Sequence, residues 1–382
     1  MRAWISVVAI VAGCSGAGQR ATSSTDGDPL SQPEVPLAAA TLPGKLAAAW
    51  PLPIARGANA WLLPYANGGE VYARFVADDG STDDRDLDHG TIVGAAALAD
   101  GFALAVADGA DARVHFLASD GSDAVVSATN LFAGGASAVP GIASDGSCVL
   151  VVAVTGGDIA ADGPTPLSAA LALVDHDGGA RAIPLGGVDA APAPWGDTQG
   201  FIVGATLVVD GSGVVAPAPG RQIRDARLFR RASAAGAQPT SDIISLDGSI
   251  WRDVGGLVGW AGRGDDGDGA ALELVTDNGR ALVEVGQDLT QRSSVALPST
   301  TRGDGGQSWI AGVSGAHVVW ASTVENDPVF AILDASRMRV QGGVTRIRNA
   351  TSRTTIVSPG AAAVLLAWSE AGGVVRYGLA PW

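Results

Sequence analysis

Residues Gly57–Phe75 read GANAWLLPYANGGEVYARF, and residues Gly360–Gly378 read GAAAVLLAWSEAGGVVRYG. Laid over one another from the first glycine, the two stretches share Gly57/Gly360, Ala58/Ala361, Ala60/Ala363, Leu62/Leu365 and Leu63/Leu366. An aromatic residue, Tyr65 or Trp368, stands three positions after the first of the paired leucines. The two ends of the folded body are therefore the same unit. Between them lie GFALAVA from Gly101, SCVLVVA from Ser147, GFIVGAT from Gly200, GGLVGWA from Gly255 and GAHVVWA from Gly315. With the two end units, the pattern occurs seven times.

Each occurrence is followed by a second apolar segment: VYARFVADDG, ARVHFLASDG, AALALVDHDG, ARLFRRASAAG, AALELVTDNG, PVFAILDAS and VVRYGLAPW. Most of these close on Asp or Asn near Gly, the residues that accept the positive φ of a tight hairpin turn. A third, more polar segment returns, as in RAIPLGG or ALVEVGQ, and a fourth often leads into the next unit, as in SAVPGIASDG or TTIVSPG. Runs of five to eight residues rich in Val, Ile, Leu and Ala and bounded by Gly are too short for core helices. The fold class is all-β. Four short strands per unit, at roughly 43- to 60-residue spacing, predict a β-propeller of seven four-stranded blades. A pair of β-sandwiches is the alternative, and it leaves the sevenfold recurrence without a cause. The last unit ends at Trp382 after two recognisable strands. Its missing strands are expected from Gly44–Gly57, GKLAAAWPLPIARG, closing the N-terminus onto the C-terminus.

The chain opens MRAWISVVAIVAGCSGAGQ. The uncharged run from Ala3 to Gly13 is too short to span a bilayer, which takes roughly 20 apolar residues. One positive charge, a short apolar run and small residues before a possible cut have the order of a secretory signal. Val11-Ala12-Gly13-Cys14 resembles the bacterial lipobox, in which the cysteine is acylated and becomes the mature N-terminus. The resemblance implies a lipid-anchored envelope protein with a bilayer as its first partner. Ser15 after the cysteine, where the family pattern uses Asp for inner-membrane retention, favours the outer membrane. Cleavage by an ordinary signal peptidase, with Cys14 incidental, is the alternative. Several acyl chains on one residue anchor stably, at about 0.8 kcal/mol per buried methylene. The second cysteine, Cys148 in SCVLVVAV, then has no disulfide partner and reads as a small buried hydrophobe. The domain boundaries expected are 1–13 for the signal, 14–43 for the acylated cysteine and a Ser/Thr/Gly/Pro-rich tether, and 44–382 for the propeller. The seven units resemble the loosely repetitive propellers of bacterial secreted proteins and lipoproteins. The Gly-His and Trp-Asp marks of WD40 repeats are missing.

A net charge of −15 over 382 residues excludes nucleic acid as a partner, because that needs a basic face. Lys45 is the only lysine among 24 basic residues, and its context GKLAAAW lacks the glycine loop of a phosphate-cradling motif. Schiff-base and nucleotide chemistry are therefore not expected. Two carboxylate clusters stand out. Asp78–His89, DDGSTDDRDLDH, reads as a solvated acidic hairpin tip, with Arg85 in its middle and without calcium-loop spacing. Asp265, Asp266 and Asp268 in GRGDDGDGAALEL weakly resemble the calcium loop of FG-GAP propeller repeats, but Leu272 stands where a closing Asp is wanted. Calcium is the one cofactor for which the chain offers even weak candidates. SLDGSIW, Ser245–Trp251, resembles the Asp-box of sialidase-type propellers with one residue missing and Ile250 in place of Thr. Four scattered histidines, His89, His115, His176 and His317, show no paired zinc spacing, and no Gly-x-Ser-x-Gly elbow is evident. Trp260, Trp320 and Trp368 occupy matching places and read as packing between units. The function expected is a binding or scaffold module for an envelope protein or glycan, with no catalytic residue assigned. The alternative is an extracytoplasmic carbohydrate-active enzyme of the sialidase or glycosidase kind.

Overall fold

A computed structural model describes residues 28–45 and 54–381 except positions 110, 120–125, 133–135, 137, 145, 157–166, 189–192, 198–199, 206–226, 233–239, 245–250, 254–256, 263–269, 277–278, 286–290, 299–308, 315–316, 335–338, 351–355 and 361. The described chain is all-β apart from one 3₁₀ turn at Pro29–Ser31, so no helix there is long and apolar enough to cross a membrane. Strand β1 spans Ala40–Lys45. The first sheet then holds β2 (Ala55–Arg56), β3 (Ala60–Asn67), β4 (Glu70–Ala77) and β5 (Thr82–His89) in that order. The second holds β6 (Thr91–Ala97), β7 (Gly101–Asp108), β8 (Asp111–Ala118) and β9 (Val126–Ala128). The third holds β10 (Ala138–Ser144), β11 (Cys148–Gly156), β12 (Leu167–Asp175) and β13 (Ala180–Val188). A fourth, five-stranded sheet holds β14 (Ala193–Asp197), β15 (Gly200–Ala205), β16 (Arg227–Ala232), β17 (Thr240–Ile244) and β18 (Trp251–Asp253). The fifth holds β19 (Leu257–Gly262), β20 (Ala270–Thr276), β21 (Gly279–Val285) and β22 (Gln291–Ala296). The sixth holds β23 (Trp309–Ser314), β24 (His317–Val324), β25 (Asp327–Asp334) and β26 (Val340–Arg346). The seventh runs β27 (Ile356–Pro359), β28 (Ala363–Ser369), β29 (Val374–Pro381) and then β1.

Each of the seven apolar segments that define the sequence repeat falls in a different sheet: β3, β7, β11, β15, β19, β24 and β28. Strands with a neighbour on both sides and a packed layer on both faces carry unbroken apolar runs. β7, β11 and β28 are buried along most of their length for this reason. The end units match in detail. The Gly57 amide donates to the Ala60 carbonyl at 2.9 Å, and at the corresponding place Gly360 donates to Ala363 at 2.8 Å. The hairpins that follow turn on Gly68–Gly69 and Gly372–Gly373, all four at positive φ. Pairing is antiparallel in the four-stranded sheets, whereas β15 and β16 run parallel, Ile202 opposite Arg227. The intervening residues 206–226 lie outside the described residues, as do residues 157–166 between β11 and β12.

The described residues fall into two units, 46–251, and 252–382 together with the N-terminal residues up to Lys45. In the first unit, Leu62, Val71 and Phe75 of the first sheet pack on Phe102, Leu104 and Val106 of the second. Val114 and Phe116 on the opposite face of the second sheet pack on Val149 and Val151 of the third. Neighbouring sheets are thus stacked through interleaved aliphatic and aromatic layers, each buried Leu or Phe contributing about 1.5–3 kcal/mol relative to exposure. In the second unit, Val319, Ala321 and Phe330 of the sixth sheet meet Val364, Leu366 and Trp368 of the seventh.

The strand that completes the seventh sheet is β1, Ala40–Lys45, which overlaps the expected piece 44–57 only at residues 44 and 45; Ala55–Arg56 instead begins the first sheet. Only one strand is supplied in this way, because TTIVSPG already provides β27. The N-terminal segment is ordered further back as well. Val35 donates its amide to the Val344 carbonyl (2.7 Å), Val344 donates to Pro33 (3.0 Å), and Glu34 pairs with Arg348 at 2.7 Å. Residues 33–45 therefore lie along β26 and then along β29, lacing the sixth sheet to the seventh. Two glycines make the approach possible. A Cβ on Gly343 would sit 2.4 Å from the Pro33 carbonyl oxygen, and one on Gly378 would sit 2.6 Å from that of Ala38. Composition reads this segment as tether because backbone pairing to glycine-bearing strands needs no apolar alternation.

Candidate functional site

The acidic stretch Asp78–His89 is a hairpin tip only over Asp78–Ser81, which turns between β4 and β5. Residues Thr82–His89 form β5, the edge strand of the first sheet, and Asp83, Asp84 and Asp88 pair with Arg85, Arg74 and Arg113. Asp84 accepts from Arg74 Nε at 2.7 Å and from the Tyr65 hydroxyl at 3.2 Å. The Arg74 guanidinium holds the Asp84 carboxyl below the usual carboxylate range, and burial with the Asp84 charge raises the Tyr65 phenol to about 12. Tyr65 also stacks on Tyr72, ring centroids 5.1 Å apart. A Tyr, an Arg and a carboxylate do meet here, as a sialidase site would require. They meet where β5 edges the first sheet, with Tyr65 buried and its hydroxyl donated to Asp84.

Four residues further along β5, a second cluster has a different character. Asp88 reaches across to β8 of the second sheet, where Arg113 and His115 alternate with the core residues Ala112, Val114 and Phe116. Alternation places their side chains on the face toward the first sheet. His115 Nε2 lies 2.9 Å from Asp88 Oδ2, and Arg113 donates to Asp88 Oδ1 at 3.0 Å. Asp88 Oδ1 also accepts from the His89 amide at 2.7 Å. On the other side of the imidazole, Ser127 of β9, the register partner of His115, places its Oγ 2.9 Å from Nδ1. Arg113 continues to Asp108 (3.2 Å), which His89 Nε2 also approaches at 3.2 Å.

The electrostatics settle who holds which proton. Burial opposes the charged Asp88 carboxylate, but the His89 amide, Arg113 and His115 together outweigh it and bring its pKa below the ordinary value. Burial likewise pushes the His115 imidazole down, against the pull of Asp88 and with a smaller push from Arg113. At neutral pH the pair is thus a carboxylate and a neutral imidazole. An ionised carboxylate only accepts, so Nε2 carries the imidazole proton and Nδ1 carries the lone pair. Ser127 therefore donates its hydroxyl proton to Nδ1. His115 is 5% exposed, whereas Ser127 is open to solvent. The arrangement is a surface hydroxyl seated on a buried base that a carboxylate orients.

The site residues expected from sequence fall elsewhere. Cys14, the calcium candidates Asp265, Asp266 and Asp268, and Ser245–Ile250 of the Asp-box-like stretch lie outside the described residues. Among the described residues, no group of three or more His, Cys, Asp or Glu side chains could hold a metal ion. Cys148, Trp320 and Trp368 are all buried packing residues. Sequence reasoning missed Asp88, His115 and Ser127 as a group, since they sit on three strands of two sheets with no motif spacing. The available signal was the polar pair Arg113 and His115 breaking an otherwise apolar strand.

No family model and no curated protein matches the chain. Among solved structures, it is similar to a prolyl endopeptidase at 14% identity and a TM-score of 0.40, covering 82% of this chain and 44% of that one. The chain thus spans less than half the length of that relative. It is similar to TolB from Acinetobacter baumannii at 12% identity and a TM-score of 0.39, covering 86% and 78% of the two chains. It is also similar to the dihydro-heme d1 dehydrogenase NirN at 14% identity and a TM-score of 0.47, covering 90% and 78%. All three likenesses are distant.

Proposed function

We propose that this protein is an exported, lipid-anchored β-propeller that serves as a binding or scaffold module at the bacterial cell envelope. The observation that carries the propeller is the β1–β29 pairing: a sheet short of one strand at the C-terminus is completed from the N-terminal end of the body. Seven sheets built in chain order, stacked face to face within each unit, accord with seven blades whose last is fastened by the first strand. A propeller closed in this way presents loops at its two faces, and those loops make the contacts with a partner protein or glycan. The anchor rests on Val11-Ala12-Gly13-Cys14, with acyl chains on Cys14 holding the body to the bilayer through the residues that precede the lacing segment.

Metabolic labelling with a palmitate analogue tests the anchor. Wild type is expected to take the label and Cys14→Ala to lose it; an unlabelled wild type removes the lipid from the proposal. A crystal structure tests the ring, and two facing sandwiches without rotational order would overturn it.

A further inference from the structure

We infer that Ser127 is an activated nucleophile able to accept acyl groups from esters with good leaving groups, aryl esters being the natural class, with His115 as its general base and Asp88 as the residue that positions the base. Three independent features support this. The hydroxyl, the imidazole and the carboxylate are linked at 2.9 Å on each side. The nucleophile is the exposed member and the base the buried one, so substrate reaches Oγ while the imidazole stays shielded from water. The Asp88 carboxylate is already satisfied by Arg113 and the His89 amide, so holding His115 is not needed to satisfy a buried charge. The nitrogens exchange the roles they have in the serine protease triad, Nδ1 facing the serine and Nε2 the carboxylate, and the lone pair still points at the hydroxyl.

The step balances without a cofactor. Ser127 Oγ adds to the ester carbonyl carbon as its proton passes to Nδ1. The tetrahedral adduct collapses with cleavage of the carbon–aryloxy bond, and the leaving phenolate takes the proton from Nδ1. Water then adds to the acyl-serine, Nδ1 receives its proton, and Ser127 Oγ departs with that proton as the carboxylic acid is released. A leaving group that departs readily suits an open surface site, where catalysis comes from the base. A positioned general base contributes roughly 10²- to 10⁴-fold.

The test is covalent labelling of the intact folded chain by a fluorophosphonate, followed by peptide mass spectrometry and by p-nitrophenyl acetate turnover across pH. Labelling of Ser127 is expected about 100-fold faster than in the urea-unfolded chain. The rate should follow deprotonation of a group below the ordinary histidine range and level off above it. Ser127→Ala removes the label. Asp88→Asn, which offers Nε2 a donor and turns the Nδ1 lone pair away, slows labelling as severely as His115→Gln. Because Ser127 is exposed, Ser127→Ala leaves the fold intact even if the other two variants do not. Labelling no faster than in the unfolded chain, equal labelling of Ser127→Ala, or a rate that climbs only in the alkaline range of a free hydroxyl would each overturn the assignment.

Discussion

Ala40 stands opposite Tyr377 in the seventh sheet, the one at the head of β1 and the other within β29. Tyr377 is flanked on its other side by Ala367 of β28, so β1 converts β29 from an edge into an interior strand. Residues from the two ends of the described body share one hydrogen-bonded ladder.

Removal of that ladder is expected to destabilise the unit that contains it. Deleting residues 28–45 strips β1, the Val35–Val344 bonds and the Glu34–Arg348 pair. Backbone hydrogen bonds contribute about 1 kcal/mol each, and roughly 2–4 °C of Tm follows each kcal/mol in a body of this size. A loss of about 10 °C in differential scanning calorimetry is expected. Gly378→Ala should reproduce much of it, since its Cβ would collide with the Ala38 backbone. A truncated chain that melts with the full-length protein would show the lacing to be idle.

The matched leucines of the end units carry matched burdens. Leu62 and Leu365 are both fully buried at equivalent positions. Leu62→Ala and Leu365→Ala should each cost about 2–5 kcal/mol in urea unfolding, the cavity term setting the place within that range. A cost below 1 kcal/mol for either would mean that its layer is not packed as described.

One substitution should stabilise. Ser322 on β24 is fully buried, and its Oγ has no hydrogen-bond partner among the described residues. An unmet buried hydroxyl costs about 1–3 kcal/mol. Ser322→Ala leaves nearly the same volume and removes the polar atom, so the midpoint of thermal unfolding should rise by a few degrees. A fall would reveal that the hydroxyl is satisfied in solution.

Acid should weaken the fold in a defined order. The folded-state pKa of His115 lies below its unfolded value, so the unfolded chain binds the proton first as pH falls below about 6.5, and stability declines. Asp88 and Asp84, also lowered, act in the same direction at the more acid pH where unfolded carboxylates titrate. Thermal midpoints should be level at neutral pH, fall first below about 6.5 and fall again below about 4. His115→Gln should erase the first descent and keep the second. A wild-type profile that rises on acidification through pH 6 would contradict the downward shift of His115.

Strands β7, β11 and β28 were legible in the sequence because burial on both faces leaves them no choice but apolar residues, as in CVLVVAV of β11. Edge strands escape that constraint. TDDRDLDH of β5 looks like a solvated turn until arginines from the neighbouring strands are placed beside it. β1 carries a proline and almost no pattern, and what holds it is backbone geometry and the absence of side chains at Gly343 and Gly378. The serine–histidine–aspartate line was hidden for a different reason. Its members come together through strand register and through stacking of two sheets, relations that linear spacing does not encode.

The lacing segment also imposes an order of events on biogenesis. Residues 33–45 are synthesised long before the strands they bind, β26 and β29. Until those strands are made, that segment has no template, and β29 cannot gain its outer neighbour before its own residues have emerged. Completion of the seventh sheet therefore reports that the chain has been made through β29, and a chain stalled or clipped before that strand is left with an unfastened N-terminal segment for quality-control proteases to seize.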